Sequence, residues 1–198
     1  MDDKLMNSIQ QEITDSIQTK QKLLADKLLL SKIHQAAQSC LKTFKQGGKV
    51  ILAGNGGSAA DAQHIAAEFV NQLCFDRPAL SSIALTTDTS ILTAIGNDRG
   101  YKEIFSRQIE ANGQSGDIFI AISTSGNSEN LLEALKVCKK KHIISVGWTG
   151  ESGGKMKDLC DHCLCVPSVE TPRIQEAHIL IGHIICAIVE NTLFKNET

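Results

Sequence analysis

Five short apolar runs, separated by stretches with helical periodicity, constrain this chain more than any other feature. They fall at residues 49–53, 82–86, 117–123, 142–148 and 163–166. Helical patterns occupy 58–73, pieces around 90–95 and 101–111, then 130–140 and a closing 173–193. For the closing helix, Thr171 is the expected N-cap and Pro172 the first helical residue. Apolar strands that alternate with helices at this spacing belong to a parallel sheet covered on both faces. The expected fold is therefore α/β, with five parallel strands. Ligands in such sheets bind beyond the carboxyl ends of the strands, so the loops after the first three runs are where chemistry is sought.

The loop after the third run reads Ile122-Ser123-Thr124-Ser125-Gly126-Asn127-Ser128, and a helix begins near Glu129. Four hydroxyls thus gather where the first-turn N–H groups of a helix have no intrahelical partner and its dipole favours an anion. A single N-cap needs one hydroxyl, not four, so the loop reads as a phosphate site. The first loop, Gly54-Asn55-Gly56-Gly57-Ser58, lets backbone come close to a ligand. With Ala59 it imitates a dinucleotide fingerprint, but that needs an acidic residue about 20 positions on, and Asp88 lies farther.

On the helix that follows, His64 and Glu68 stand at i and i+4, able to share one divalent metal or to form a plain surface pair. The closing helix adds Gln175, Glu176, His178 and His183. Gln175 and His183 lie along one side, yet spacing does not choose between His178 and His183. Cys160-Asp161-His162-Cys163-Leu164-Cys165 imitates a metal knuckle but lacks a second ligand pair. Its interleaved Leu164 and Val166 favour a buried strand in which Cys acts as a small hydrophobe.

With a net charge of −2 and no basic stripe, nothing suggests a nucleic-acid surface; Lys139-Lys140-Lys141 reads as a solvated helix end. No apolar run approaches the ~18 residues of a membrane span. The polar start Met1-Asp2-Asp3-Lys4 is not that of a signal peptide. Seven irregularly spaced cysteines suit a reducing cytoplasm. Residues 1–46 read as helix, with Leu5, Ile9, Ile13 and Ile17 on one face and a break expected at Gln18-Thr19-Lys20-Gln21. So long a stripe exceeds what one small domain covers, and it is expected to pack against other subunits. The chain is then expected to be one structural domain overall, made of a helical oligomerisation segment, 1–46, and the α/β unit, 47–198.

Gly54-Asn55-Gly56-Gly57-Ser58, Gln63-His64 with Glu68, Gly96-Asn97-Asp98, the 122–128 run and Arg173-Ile174-Gln175-Glu176 with His178 appear in this order. Together they resemble the phosphoheptose isomerases of the sugar-isomerase (SIS) domain superfamily, over nearly the whole chain. The resemblance implies a flavodoxin-like sheet and a cytoplasmic homotetramer carrying zinc. It also implies conversion of D-sedoheptulose 7-phosphate to D-glycero-D-manno-heptose 7-phosphate, toward the heptose of bacterial surface polysaccharide. The zinc ligands it implies are His64, Glu68, Gln175 and His183, with Glu68 as catalytic base and His183 as acid. The substrate contacts it implies are Asn55, Gly56, Gly57, Ser58, Glu68, Asn97, Asp98, Ser123, Thr124, Ser125, Ser128 and Gln175. Two departures stand out: Asn71-Gln72-Leu73 where the family often has Gly-Arg-aromatic, and Thr171-Pro172 where some members place an Asp. A non-catalytic superfamily member that binds the bacterial replication initiator has a tail like Asn191-Thr192-Leu193-Phe194; the retained His64, Glu68 and His183 favour the enzyme.

Overall fold

Val50–Gly54 (β1) and Ile118–Ile122 (β3) are buried at every position, as strands covered on both faces must be. They pair in parallel at the centre of the sheet, with Val50 opposite Ile118 and Gly54 opposite Ile122. Ser82–Ala84 (β2) flanks β1, while Ile144–Thr149 (β4) and His162–Cys165 (β5) extend the other side. The order is β2-β1-β3-β4-β5, all parallel, the flavodoxin-like arrangement. The structure is a computed structural model and describes residues 2–195.

Alternate strand residues feed two apolar layers. Val50, Leu52, Ile118, Ile120, Val146 and Trp148 pack under Lys27–Lys45 (α2), Gly57–Val70 (α3) and Thr171–Phe194 (α7). Ile51, Ala53, Phe119 and Ala121 face the opposite layer, built from Ser106–Asn112 (α5) and Glu129–Lys141 (α6). Leu92 and Ile95 of Thr89–Asp98 (α4) pack against that second layer. The helix after β1 thus lies on one face and the helix after β3 on the other. Their N-termini open beside each other at the point where the strand order reverses, which is where such sheets bind ligands.

Asp2–Ala25 (α1) precedes α2, and the break between them falls at Asp26 rather than at 18–21. The polar residues there sit within the helix, with the Thr19 hydroxyl donating to the Asp15 carbonyl. Asp26 makes the real boundary by accepting from the Leu29 N–H at 2.9 Å as the N-cap of α2. The apolar side of α2 (Leu29, Ile33, Ala36, Cys40) belongs to the core. Leu5, Ile9, Ile13 and Ile17 of α1 are all exposed.

At α7 the N-cap is Glu170, and Thr171 is already helical. The expectation that nothing apolar is long enough to span a bilayer is also corrected: α7 has the length and composition to do so. Its apolar side is spent on α2, α3 and the sheet, as in the core helix of a globular domain.

Candidate active site

The loop from Ser123 to Ser128 leaves β3 and turns at Gly126, whose φ of 65° is left-handed. A Cβ at Gly126 would stand 2.1 Å from the Gly153 carbonyl oxygen, so glycine is required there on two grounds. Ser128 is the N-cap of α6, but its hydroxyl caps nothing. It lies 2.9 Å from the Ser123 hydroxyl, which is in turn 3.5 Å from that of Ser125. The Thr124 hydroxyl has no internal partner among the described residues. At α3 the N-cap is Gly56, which carries no capping side chain. Two uncapped helix N-termini and a cluster of hydroxyls therefore face one region, and this donor set suits an anion.

Asn55 and Asn130 fasten the first loop to the first turn of α6 by reciprocal amide hydrogen bonds of 2.9 and 3.0 Å. The Tyr101 hydroxyl donates to the Asn55 Oδ1 at 3.0 Å. Tyr101 follows shortly after Asn97 and Asp98, an exposed pair in which the Asn97 amide donates to the Asp98 carboxylate at 2.8 Å. Neither Tyr101 nor Asn130 was flagged from the sequence. The only hint was a polar residue, Asn130, directly before the apolar pair Leu131-Leu132 in the first turn of a helix. Ser58 is buried beneath the first loop. Asp88, the residue a dinucleotide site would need, is occupied as the N-cap of α4, accepting from the Ile91 N–H.

Farther along α3, His64 and Glu68 meet His183 of α7. The His64 Nε2 is 3.0 Å from the Glu68 Oε1 and 3.2 Å from the His183 Nε2, and the two imidazoles stand edge to face. Gly182 allows this meeting: a Cβ there would come within 2.5 Å of Ile65, so only a glycine lets α7 approach α3 so closely. The Glu68 Oε2 makes no hydrogen bond among the described residues.

Three donor atoms within 4.8 Å of one another could hold a cation, and no other group of three His, Cys, Asp or Glu does so among the described residues. Tetrahedral zinc with bonds of about 2.0–2.1 Å sets neighbouring ligand atoms about 3.3 Å apart, close to the separations here. The donor types, two imidazoles and a carboxylate, are also those of zinc sites. The cysteines at 160–165 form no comparable group. Gln175 lies at the opening of α3, its Nε2 2.7 Å from where a Cβ on Gly57 would project. Close to the trio, Asp61 has a buried Oδ2 with no hydrogen-bond partner. Burial raises its carboxyl, and the charge of His64 works against the rise.

The choice between the two histidines of α7 rests on burial. His178 is fully buried and donates from Nε2 to the Thr149 carbonyl at 3.1 Å, so it is a core residue. Burial lowers its pKa from the ordinary 6.5 to about 4, against a small rise from that hydrogen bond. Between those values the unfolded chain binds a proton that the folded chain refuses. The stabilisation is complete above pH 6.5 and is lost as pH falls toward 4, by at most about 3 kcal/mol. Melting temperatures measured from pH 7 to 4.5 are expected to fall less steeply for His178→Gln than for the unaltered protein.

Buried behind α3, Arg77 and Glu190 form an ion pair at 3.1 Å, with side chains 2% and 1% exposed. Arg77 also donates to the carbonyls of Glu68 and Phe69, each at 2.7 Å. Glu190 accepts from the N–H groups of Leu73 and Cys74 at 3.0 and 2.9 Å. The end of the helix that carries Glu68 is thereby locked to α7. Arg77 lies outside every sequence motif, and its partner is 113 residues away.

Residues 14–150 match the SIS domain family. A phosphoheptose isomerase of Aneurinibacillus thermoaerophilus is 62% identical over 189 residues, 96% of each chain. One of Burkholderia pseudomallei is 52% identical over 197 residues, the full length of both. Among solved structures, a phosphoheptose isomerase from Francisella tularensis superposes with a TM-score of 0.90 at 38% identity, covering 94% of this chain and 98% of that one. The Neisseria gonorrhoeae enzyme superposes at 0.88 with 43% identity, covering 94% and 99%.

Proposed function

This chain belongs to the SIS domain family, among its phosphoheptose isomerases, and on that premise we propose that it converts D-sedoheptulose 7-phosphate to D-glycero-D-manno-heptose 7-phosphate through an enediol. The observation that carries the proposal is the meeting of His64, Glu68 and His183 from two helices far apart in sequence. Moving the carbonyl from C2 to C1 takes a proton from C1 and returns one to C2. Glu68 removes the C1 proton through its unengaged Oε2 while His183 protonates the C2 oxygen. The enediol then returns the proton from Glu68 to C2, and His183 accepts the one leaving the C1 oxygen. Zinc held by His64, Glu68 and His183, with Gln175 as the fourth ligand the family pattern names, would supply a Lewis acid for the sugar oxygens, and His183 would carry a proton only while its Nε2 is off the ion.

The phosphate is bound by Ser123, Thr124, Ser125 and Ser128 with the first-turn amides of α6, and by Gly56, Gly57 and Ser58 at the opening of α3. Asn55, Asn97, Asp98 and Gln175 complete the substrate contacts. Replacing both Ser125 and Ser128 by Ala removes two hydrogen bonds to a charged group, each worth about 1.5–3 kcal/mol. Steady-state kinetics should show KM raised by about 10²- to 10⁴-fold with kcat little changed.

The exposed stripe of α1 and the outward-facing trio support a homotetramer in which neighbouring subunits cover both. The thiols, all seven free, support a cytoplasmic setting. A replication adaptor has no use for three donors at these distances, and nothing favours that alternative. Incubation with D-sedoheptulose 7-phosphate and identification of the aldose by NMR tests the reaction; absence of turnover with and without zinc would refute it.

A further inference from the structure

Cys163 and Cys165 stand two residues apart on β5, so both side chains leave the same face of the strand. Their sulfur atoms are 3.7 Å apart, and the Thr149 hydroxyl lies 3.7 Å from the first and 3.5 Å from the second. Cys163 is buried, whereas Cys165 is half-buried. Lys32 donates from Nζ to the Cys163 carbonyl at 3.2 Å, which fixes an ammonium beside the pair. On the other side, the Cβ of Lys157 and the sulfur of Cys165 both lie within 3.2 Å of where a Cβ on Gly153 would project. A hydrogen bond from the Cys163 thiol holds the Cys165 thiol below its ordinary range despite partial burial, with Thr149, Lys32 and Lys157 adding to the effect. Donating that bond, and burial, push Cys163 the other way. An accessible thiolate in contact with a protonated thiol has the make-up of an attacking and a resolving cysteine.

We propose that Cys165 and Cys163 are a redox-active dithiol, oxidised by hydroperoxide, whose state is transmitted to the phosphate loop. The Cys165 thiolate attacks one peroxide oxygen and the O–O bond breaks; the departing hydroxide takes a proton and leaves as water. Cys163 then attacks the resulting sulfenic sulfur, the S–S bond forms, and a second water leaves with the Cys163 proton. Two thiols have lost two electrons and two protons, and hydrogen peroxide has become two waters.

Positions two apart on a strand are separated by about 6.6 Å, near the upper end of the ~4.4–6.8 Å between Cα atoms that a disulfide spans. Bridging therefore draws in the end of β5. Cys165 is the last residue of that strand, and β5 is an edge with one neighbour, so the chain there can yield. The displacement reaches the phosphate loop through the segment that begins at Gly150. Its N–H groups bind that loop directly: Gly150 to the Thr124 carbonyl, Met156 to the Gly126 carbonyl and Lys155 to the Asn127 Oδ1.

The test uses the full chain carrying Cys74→Ser, since Cys74 is an exposed competing thiol. After limited hydrogen peroxide, mass spectrometry should find the loss of two hydrogens mapped to Cys163 and Cys165 and reversed by dithiothreitol. Cys163→Ser should stop at a sulfenic acid that dimedone traps at Cys165, and Cys165→Ser should give neither product. Amide exchange across residues 123–128 should rise severalfold in the oxidised protein. Thiols that stay reduced at 163 and 165 while another cysteine oxidises would overturn the proposal, as would a formed bridge with unchanged exchange at 123–128. Neither readout involves a sugar phosphate, so this result stands apart from that of the isomerase assay.

Discussion

Glu68→Gln is expected to lower kcat by about 10²- to 10⁴-fold, the range of a lost proton carrier, and to leave the fold intact. The substitution preserves shape, and among the described residues the side chain makes one hydrogen bond, to His64. An amide oxygen can still face a cation, but it cannot take a proton from carbon. The loss belongs in kcat rather than KM because the proton is in flight only in the transition state. Kinetics, with a melting curve as control, separate the cases. A large rise in KM at unchanged kcat would make Glu68 a substrate contact and remove it from proton transfer.

Arg77→Met should cost about 3–5 kcal/mol of stability, the usual result of stripping one partner from a buried ion pair. Glu190 would be left charged at 1% exposure, and the Glu68 carbonyl would lose its Arg77 donor while that of Phe69 kept only the Leu80 N–H. For a chain of this length the melting temperature should fall by roughly 10 °C. Adding Glu190→Leu should recover only part of the loss, because the N–H groups of Leu73 and Cys74 then lack an acceptor. Urea titration of the three variants measures both steps. A cost below about 1 kcal/mol for Arg77→Met would put this pair with weak surface bridges and deny it any role in holding α3.

The sheet was legible because its central strands, β1 and β3, are apolar throughout and the loops after them carry Gly, Ser and Asn. Element limits were less so, since they depend on single caps: Asp26, not the polar run at 18–21, divides the N-terminal helices. His64 and Glu68 share a helix, so spacing alone pairs them. Their meeting with His183 depends on the approach that Gly182 permits between α3 and α7, and periodicity along α7 carries no information about α3. His178 looks equivalent in sequence and is a core residue, because only its depth and the Thr149 carbonyl distinguish it. Arg77, Asn130 and Tyr101 were missed for the same reason: each acts through a partner tens of residues away.

The most direct measurement runs the isomerisation in D2O and follows the deuterium by NMR. His64 is half exposed and Glu68 partly so, which lets a proton held on the carboxylate exchange with solvent before it returns to carbon. Deuterium is expected at C2 of the aldose made by the unaltered protein, with formation of that product slowed about 10²- to 10⁴-fold in Glu68→Gln. Aldose formed at full rate with only protium at C2 would mean that hydrogen passes directly between the carbons, and would contradict proton transfer by Glu68.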